Sequence, residues 1–491
     1  MTSVRKWILA AVACAACSSV GAKSDGGAAG GGAGVSGGGG GGAPVAGSGG
    51  AGAGGAAGGA CGEGATGGSA GTCTFDVQYM PSYTIGTVEI VTFSLDLADL
   101  TDARIEFGPS GAAPTMTAPV DLREPGHRTL LLGMKGSQPY TFHIVATDGA
   151  KTCTSGDFSF TTGAVPSTVI KLTKTATGTG GAKGFIVTSP GVESGSPPGR
   201  PDAYIFDTDG DIVWWMPSSM DGVTVTTRAH LSWDTKTLWV MRGMGNAQIL
   251  RVSMDGVTLM DYRNVLKNAH HDFAVLPDGA IAVIIGNTAS TTGHSIVEMK
   301  PDGTITPVIA DLSTIYRAGF YPNSIHYYAA DDSYTVGDRA TNTNLYVKFK
   351  RSGALVWQLG GTNPLGKSFA LVGLDPWKVN HGHHLTPDGH FLFFNNGGTT
   401  GSLDMPRVVE LMLDETANTA TKTWEYQYSG TATALGDAER LPNGNVLVTH
   451  SFGGRIMEVD RSGTVVQSFM NANGSFGYTD FRTSLYGPPP R

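Results

Sequence analysis

The sequence predicts an all-β protein: a six-bladed β-propeller over residues 170–485, preceded by a small β-sandwich over 73–165. Three observations carry this. Helical periodicity is nearly absent, while short runs that alternate apolar and polar residues, such as Val88–Leu95 (VEIVTFSL), recur between Gly, Pro, Asp and Asn turns. A unit of several such strands returns six times, at starts roughly 40–60 residues apart, the size of one propeller blade. The turns themselves recur, as Pro277-Asp278-Gly279, Pro301-Asp302-Gly303, Pro387-Asp388-Gly389 and Pro442-Asn443-Gly444.

In chain order, the first stretch is a targeting signal. Arg5 and Lys6 precede the apolar run Trp7–Ala13 and the small residues around Cys14 and Cys17. The run is too short to span a bilayer as a helix. It resembles a bacterial lipoprotein signal over 1–17, with a lipid anchor at Cys14 or Cys17; plain secretion is the alternative. The expected location is the outer membrane or cell surface, otherwise periplasmic or secreted. Residues 18–72 are Gly, Ala and Ser with few large apolar side chains, so they form a tether rather than a core. The net charge of −8 offers no basic face and predicts no nucleic-acid partner. Past the signal, Cys61, Cys73 and Cys153 contain no CxxC pair, which argues against a zinc site. Cys73 and Cys153 bracket a β-like stretch and are the first choice for a disulfide, with Cys61–Cys73 the alternative.

Residues 73–165 hold alternating runs separated by turns. The spans 103–108, 140–150 and 157–163 resemble a fibronectin type III or Ig-like module, which implies a bracing or binding role. The six repeats then run from Gly184 to Trp215, His230 to Gly256, His270 to Gly303, Tyr321 to Trp357, Asn380 to Trp424, and Gly436 to Val466. Trp215, Trp357 and Trp424 at repeat ends read as core between blades.

The candidate site comes from register. His271 lies eight residues before Gly279, and His381 lies eight before Gly389; Gly436 takes that place before Gly444. Equivalent places on different blades point to the same zone around the axis, so His271 and His381 should converge. A second place, after the next strand, is filled by Arg339, Arg407 and His450. The result is a ring of imidazoles and guanidiniums at one mouth of the channel. Such a ring suits an anionic group: Arg holds two oxygens at once, and His attacks, donates or accepts protons. There is no glycosidase-type carboxylate pair, no GxSxG elbow and no phosphate loop. Metal ligation is the rival reading, though the ring has few carboxylates and its arginines repel a cation; no cofactor is expected. His383 and His384 are adjacent and face opposite ways, His230 and His326 read as packing or surface residues, His270 as a supporting or exposed neighbour, and Asp437 and Glu439 as turn and hydrogen-bonding groups.

The segments HHDFAVLPDG (270–279), Asn323-Ser324-Ile325 with VWQLGG (356–361), HGHHLTPDGHFLFFNNGG (381–398), PRVVEL (406–411) and GDAERLPNGNVLVTH (436–450) resemble the nucleotide-independent bacterial aryl sulfotransferase family. The resemblance covers roughly 180–480. It implies an exported six-bladed propeller behind a β-sandwich that moves a sulfuryl group from an aryl sulfate to a phenol. Its small-molecule partners would be that aryl sulfate and phenol. Carried over, the catalytic set is His271, His381, Arg407 and His450, with His450 becoming sulfated. Asn323, Arg339, Tyr321 and His383 would bind substrate, and Phe320, Tyr321 and Phe452 could enclose the aryl ring. Tyr321 stands where the family often has His. The alternative is a non-catalytic cell-surface binding propeller on the same scaffold, and a third reading is a metal-dependent hydrolase or lyase.

Overall fold

The computed structural model describes residues 73–489 except 177, 193–199, 217–224, 244–245, 289, 291, 315–319, 340–343, 362–365, 398–404, 429–431, 433 and 472–473. The expected signal and tether, with Cys14, Cys17 and Cys61, lie outside the described residues. These form an all-β structure with three short 3-10 turns. Among them, no helix is long and apolar enough to cross a membrane.

Two antiparallel sheets share the first core. One is Phe75–Pro81, Glu89–Leu95 and Thr129–Leu131; the other centres on Asp102–Pro109 and Pro139–Thr147. Alternation places Phe75, Val77, Val91 and Phe93 of one sheet against Ile105, Phe107, Phe142 and Ile144 of the other. A disulfide joins Cys73 to Cys153, with Cα atoms 6.0 Å apart. This unit docks on the sheets that follow. Thr87 Oγ1 donates to the Val213 carbonyl at 2.6 Å, Ser82 Oγ to the Asp255 carbonyl at 2.6 Å, and Arg128 pairs with the Asp255 carboxylate at 2.6 Å.

Each of the six sequence repeats is one sheet of four or five strands, antiparallel throughout except in the fifth, where Ala370–Val372 pairs parallel to Thr419–Gln427. In sheets two to six the strand that leads the antiparallel ladder is Val225–Leu231, Ala269–Val275, Pro322–Tyr328, Asn380–Leu385 and Asp437–Arg440. These five pack side by side in succession. The first sheet takes its edge strand, Asp480–Arg482, from the far end of the chain, and the sixth is completed by Leu172–Ala176 from the near end. Asp480–Arg482 in turn touches both neighbours: the Phe481 amide donates to Glu439 Oε2 at 2.9 Å, and Asp480 faces His230 at 3.6 Å. The Ala269–Val275 strand is buried along its whole length, including its polar residues His270, His271 and Asp272. That burial marks it as an interior strand whose polar groups need partners.

Candidate functional site

The recurring turns set the depth of the site. The amides of Gly279, Gly389 and Gly444 close the same turn onto Leu276, Thr386 and Leu441 at 3.0, 3.0 and 2.9 Å. Register shifts follow at the start of two leading strands, between Ala269 and Phe273 and between Asn380 and His383. Such bulges re-aim side chains. His271 also takes a left-handed backbone, φ 63°, which is uncommon for a residue with a side chain.

His271 and His381 are both buried. Burial, then the neighbouring His381 and Arg339, pushes the His271 pKa down to about 3; burial, then Arg339, pushes His381 down to about 3. Both rings are therefore neutral at physiological pH. Arg339 lies with its guanidinium carbon 4.9 Å from the centre of the Tyr321 ring, and the His271 ring meets Tyr321 edge-on at 5.5 Å. Among the described residues, no carboxylate forms an ion pair with Arg339. A permanent cation beside two neutral imidazoles is a seat for an oxyanion.

His381 is oriented by Asn396. Its Nδ1 lies 2.6 Å from Asn396 Oδ1, and Asn396 Nδ2 donates to the Leu435 carbonyl at 2.9 Å. The carbonyl can only accept, so Asn396 turns Oδ1 toward His381, and His381 carries its proton on Nδ1. His271 is held differently. Its Nδ1 is 2.8 Å from His270 Nδ1, His270 Nε2 is 3.1 Å from His294 Nδ1, and His294 Nε2 donates to the Ser290 carbonyl at 2.8 Å. Gly286 makes room for this chain, because a Cβ there would sit 2.2 Å from His294 Nδ1.

The place after the second strand is marked by its backbone. The amides of Gly286, Arg339 and Asn396 donate to Asn268, Tyr321 and Val379 at 2.9, 3.1 and 3.0 Å. In the fifth sheet the residue there is Asn396, where Arg407 was expected. Arg407 starts the next strand out, opposite Asn395, and pairs with Glu425 at 3.6 Å. The physical reason is that the second strand ends at Asn395, so the place is filled before the connection to Arg407 begins. His450 follows Thr449, which pairs with Asp437, and so holds the matching place in the sixth sheet. Its buried ring stacks on Tyr428, with centres 4.1 Å apart and planes at 28°.

Asn323 and His383 act as braces. Asn323 Nδ2 donates to the Asn380 carbonyl at 2.6 Å, and its own carbonyl accepts from Tyr478 Oη at 2.9 Å. His383 is engaged at both nitrogens, Nδ1 with Ser324 Oγ at 2.9 Å and Nε2 with Thr335 Oγ1 at 2.8 Å. Phe320 is in the core, and Phe452 is 43% exposed.

A buried ion network adjoins His271 through the next residue, Asp272. Arg228 binds Asp272 twice, Nε to Oδ1 at 2.7 Å and Nη2 to Oδ2 at 3.0 Å, and reaches Asp437 Oδ2 at 3.0 Å. Its guanidinium lies over Tyr478 at 4.2 Å. A cavity of about 470 Å³ is lined by Arg228, His230, Ala274, His326, His384, Asp437, Glu439 and Asp480. Burial pushes the pKa of His326 far down, that of His384 down to about 4, and that of Glu439 well up. His326 is thus a cavity residue, and His270 is fully buried. Sequence reasoning did not single out Arg228, Asp272 or His294 as site residues. Only the adjacent His270-His271-Asp272 hinted that this strand was unusual. Among the described residues, no three His, Cys, Asp or Glu side chains form a group that could hold a metal ion.

Solved structures with related topology are distant. A nidogen/laminin complex aligns with a TM-score of 0.43 at 10% identity, covering 62% of this chain and 100% of that one. A protein of unknown function from Bacteroides thetaiotaomicron aligns at 0.35 and 12%, covering 83% and 100%. Virginiamycin B lyase from Staphylococcus aureus, an inactive variant with quinupristin, aligns at 0.38 and 14%, covering 61% and 88%. Likeness at this level carries no functional argument. No curated protein matches the chain. Two family models do match, both described as arylsulfotransferase (ASST), over residues 182–316 and 311–472. The six repeats and the His271–His381–Arg339 site fall within that span: the chain belongs to the arylsulfotransferase family.

Proposed function

We propose that this protein transfers a sulfuryl group from an aryl sulfate to a phenol through a sulfohistidine. The six sheets serve as the blades of a closed propeller, with the N-terminal sheet pair as a sandwich that braces it. The export signal and lipid anchor at Cys14 or Cys17 would hold it at the cell surface. The observation that carries the reading is Arg339, without a carboxylate partner among the described residues, beside two imidazoles held neutral.

In the first half-reaction an imidazole Nε2 attacks sulfur, the N–S bond forms, and the S–O(aryl) bond breaks to release a phenoxide. Arg339 holds the sulfuryl oxygens throughout. In the second, the other imidazole accepts the proton of the acceptor phenol, whose oxygen attacks sulfur and frees the first imidazole. The proton returns to the phenoxide released in the next turn. His271 and His381 suit these two roles because each is neutral and each has its Nδ1 turned to a fixed partner. His450, the nucleophile that the resemblance implies, is the third candidate nitrogen. Asn323 and His383 shape the wall, and Tyr321 offers a face to the aryl ring.

The test is peptide mass spectrometry of the protein mixed with p-nitrophenyl sulfate. A gain of one sulfuryl unit on a peptide holding His271, His381 or His450, with phenol release, supports the reading and names the nucleophile. No adduct and no phenol release from folded protein would select the second reading, a surface-binding propeller, which Tyr321 in the place of a family histidine favours.

A further inference from the structure

The His294–His270–His271 chain has a direction. The Ser290 carbonyl can only accept, so the proton between it and His294 belongs to His294 Nε2. A neutral His294 then offers a lone pair at Nδ1, and the proton in the next contact belongs to His270 Nε2. A neutral His270 offers a lone pair at Nδ1, and the last proton belongs to His271 Nδ1. One backbone carbonyl thus sets three tautomers in series and leaves His271 Nε2 as a bare lone pair.

We infer that His270 and His294 are positioning residues that hold His271 in its Nδ1–H tautomer, so that Nε2 is left bare to attack sulfur or to accept the proton of the acceptor phenol. This rests on the sulfuryl-transfer reading above. Two further observations support it. Burial holds His270 at about 2 and pushes His294 down, so both stay neutral acceptors. All three rings are buried, so water does not compete for their nitrogens. The arrangement parallels the fixing of His381 by Asn396, with two imidazoles in place of one amide. His271 and His381 then present the same nitrogen, Nε2.

The test reads tautomers directly. In the full-length protein labelled with ¹⁵N-histidine, two-bond ¹H–¹⁵N correlations distinguish protonated from bare ring nitrogens, and His271→Gln assigns the His271 signals. The wild-type protein should show His271 with Nδ1 protonated and Nε2 bare. His294→Phe removes the acceptor of His270 and should release His271 into a mixture or the opposite tautomer; His294→Asn, with an amide oxygen in place of Nδ1, should restore it. With p-nitrophenyl sulfate, His294→Phe should lower kcat at least about tenfold with KM within about twofold, the pattern of a misset tautomer rather than lost binding. A wild-type His271 protonated on Nε2 overturns the inference, even if His294→Phe does not fold. So does a His294→Phe protein with His271 unchanged in tautomer and kcat. An Nδ1–H His271 that responds to His294 as described, in a protein that never turns over aryl sulfate, upholds the positioning role and overturns the sulfotransferase reading.

Discussion

Arg228 and Asp272, 44 residues apart in sequence, meet in a buried two-pronged ion pair. Asp437 closes the third side of the guanidinium, and Asp272 Oδ2 also accepts from the Ile325 amide at 3.0 Å. Strands from four sheets therefore share one buried network. Charges this deep cost more in lost solvation than an exposed pair does, and they are tolerated only because every arm is met.

Removing one member should expose that cost. Arg228→Met leaves two carboxylates buried together, and the expected loss is about 3–5 kcal/mol of unfolding free energy. Urea unfolding followed by tryptophan fluorescence measures it. A loss under about 1 kcal/mol would mean that water or relaxation reaches the network.

Arg339 should behave in the opposite way. It forms no ion pair with a carboxylate among the described residues, so Arg339→Leu should fold normally. Its kcat/KM for p-nitrophenyl sulfate should fall by roughly 10²–10³, the usual cost of removing one preorganised group that binds developing charge. Arg339→Lys should recover only part, because an ammonium cannot bind two oxygens in one plane. Unchanged kinetics in Arg339→Leu would remove it from the site.

Stability should fall steeply in mild acid. His270 is held at about 2, His271, His381 and His383 at about 3, and His384 at about 4. Unfolded histidines titrate near 6.5, so below that pH the unfolded chain takes up protons that the folded chain refuses. Each such histidine then removes about 1.4 kcal/mol per pH unit. Glu89, pushed up to about 8, and Glu439, raised by burial, act oppositely, losing stability as pH climbs above about 4.5. The histidines outnumber them, so the maximum of Tm against pH should lie near pH 6.5. A flat profile between pH 4 and 6.5 would show that these rings are more solvated than their burial implies.

Reduction should loosen the N-terminal unit. Cys73–Cys153 closes a loop of 80 positions, and its loss should cost about 2–5 kcal/mol of that unit's stability. Unfolding with and without a phosphine reductant checks this, and Cys73→Ser should reproduce the reduced protein.

Much of the architecture was legible in the sequence. Two-residue alternation and recurring Gly turns, Pro-Asp-Gly in the third and fifth repeats, marked the six sheets, and the eight-residue spacing to Gly279 and Gly389 gave His271 and His381 equivalent places. Local rules suffice there, since a turn and the strand beside it are set by neighbouring residues. Arg407 shows where they stop. Its distance from His381 gave no measure of which strand it joined, and the structure puts it one strand further out, on Glu425, with Asn396 in the inner place.

The sequence by itself determined the all-β class, the repeat, the matched histidines and the family. Tertiary structure alone decided the partners: Arg228 with Asp272 and Asp437, Asn396 on His381, and His294 with His270 behind His271. Those contacts join residues up to 209 positions apart. Strand pairing and burial, which no local pattern encodes, bring such residues together and set their protonation.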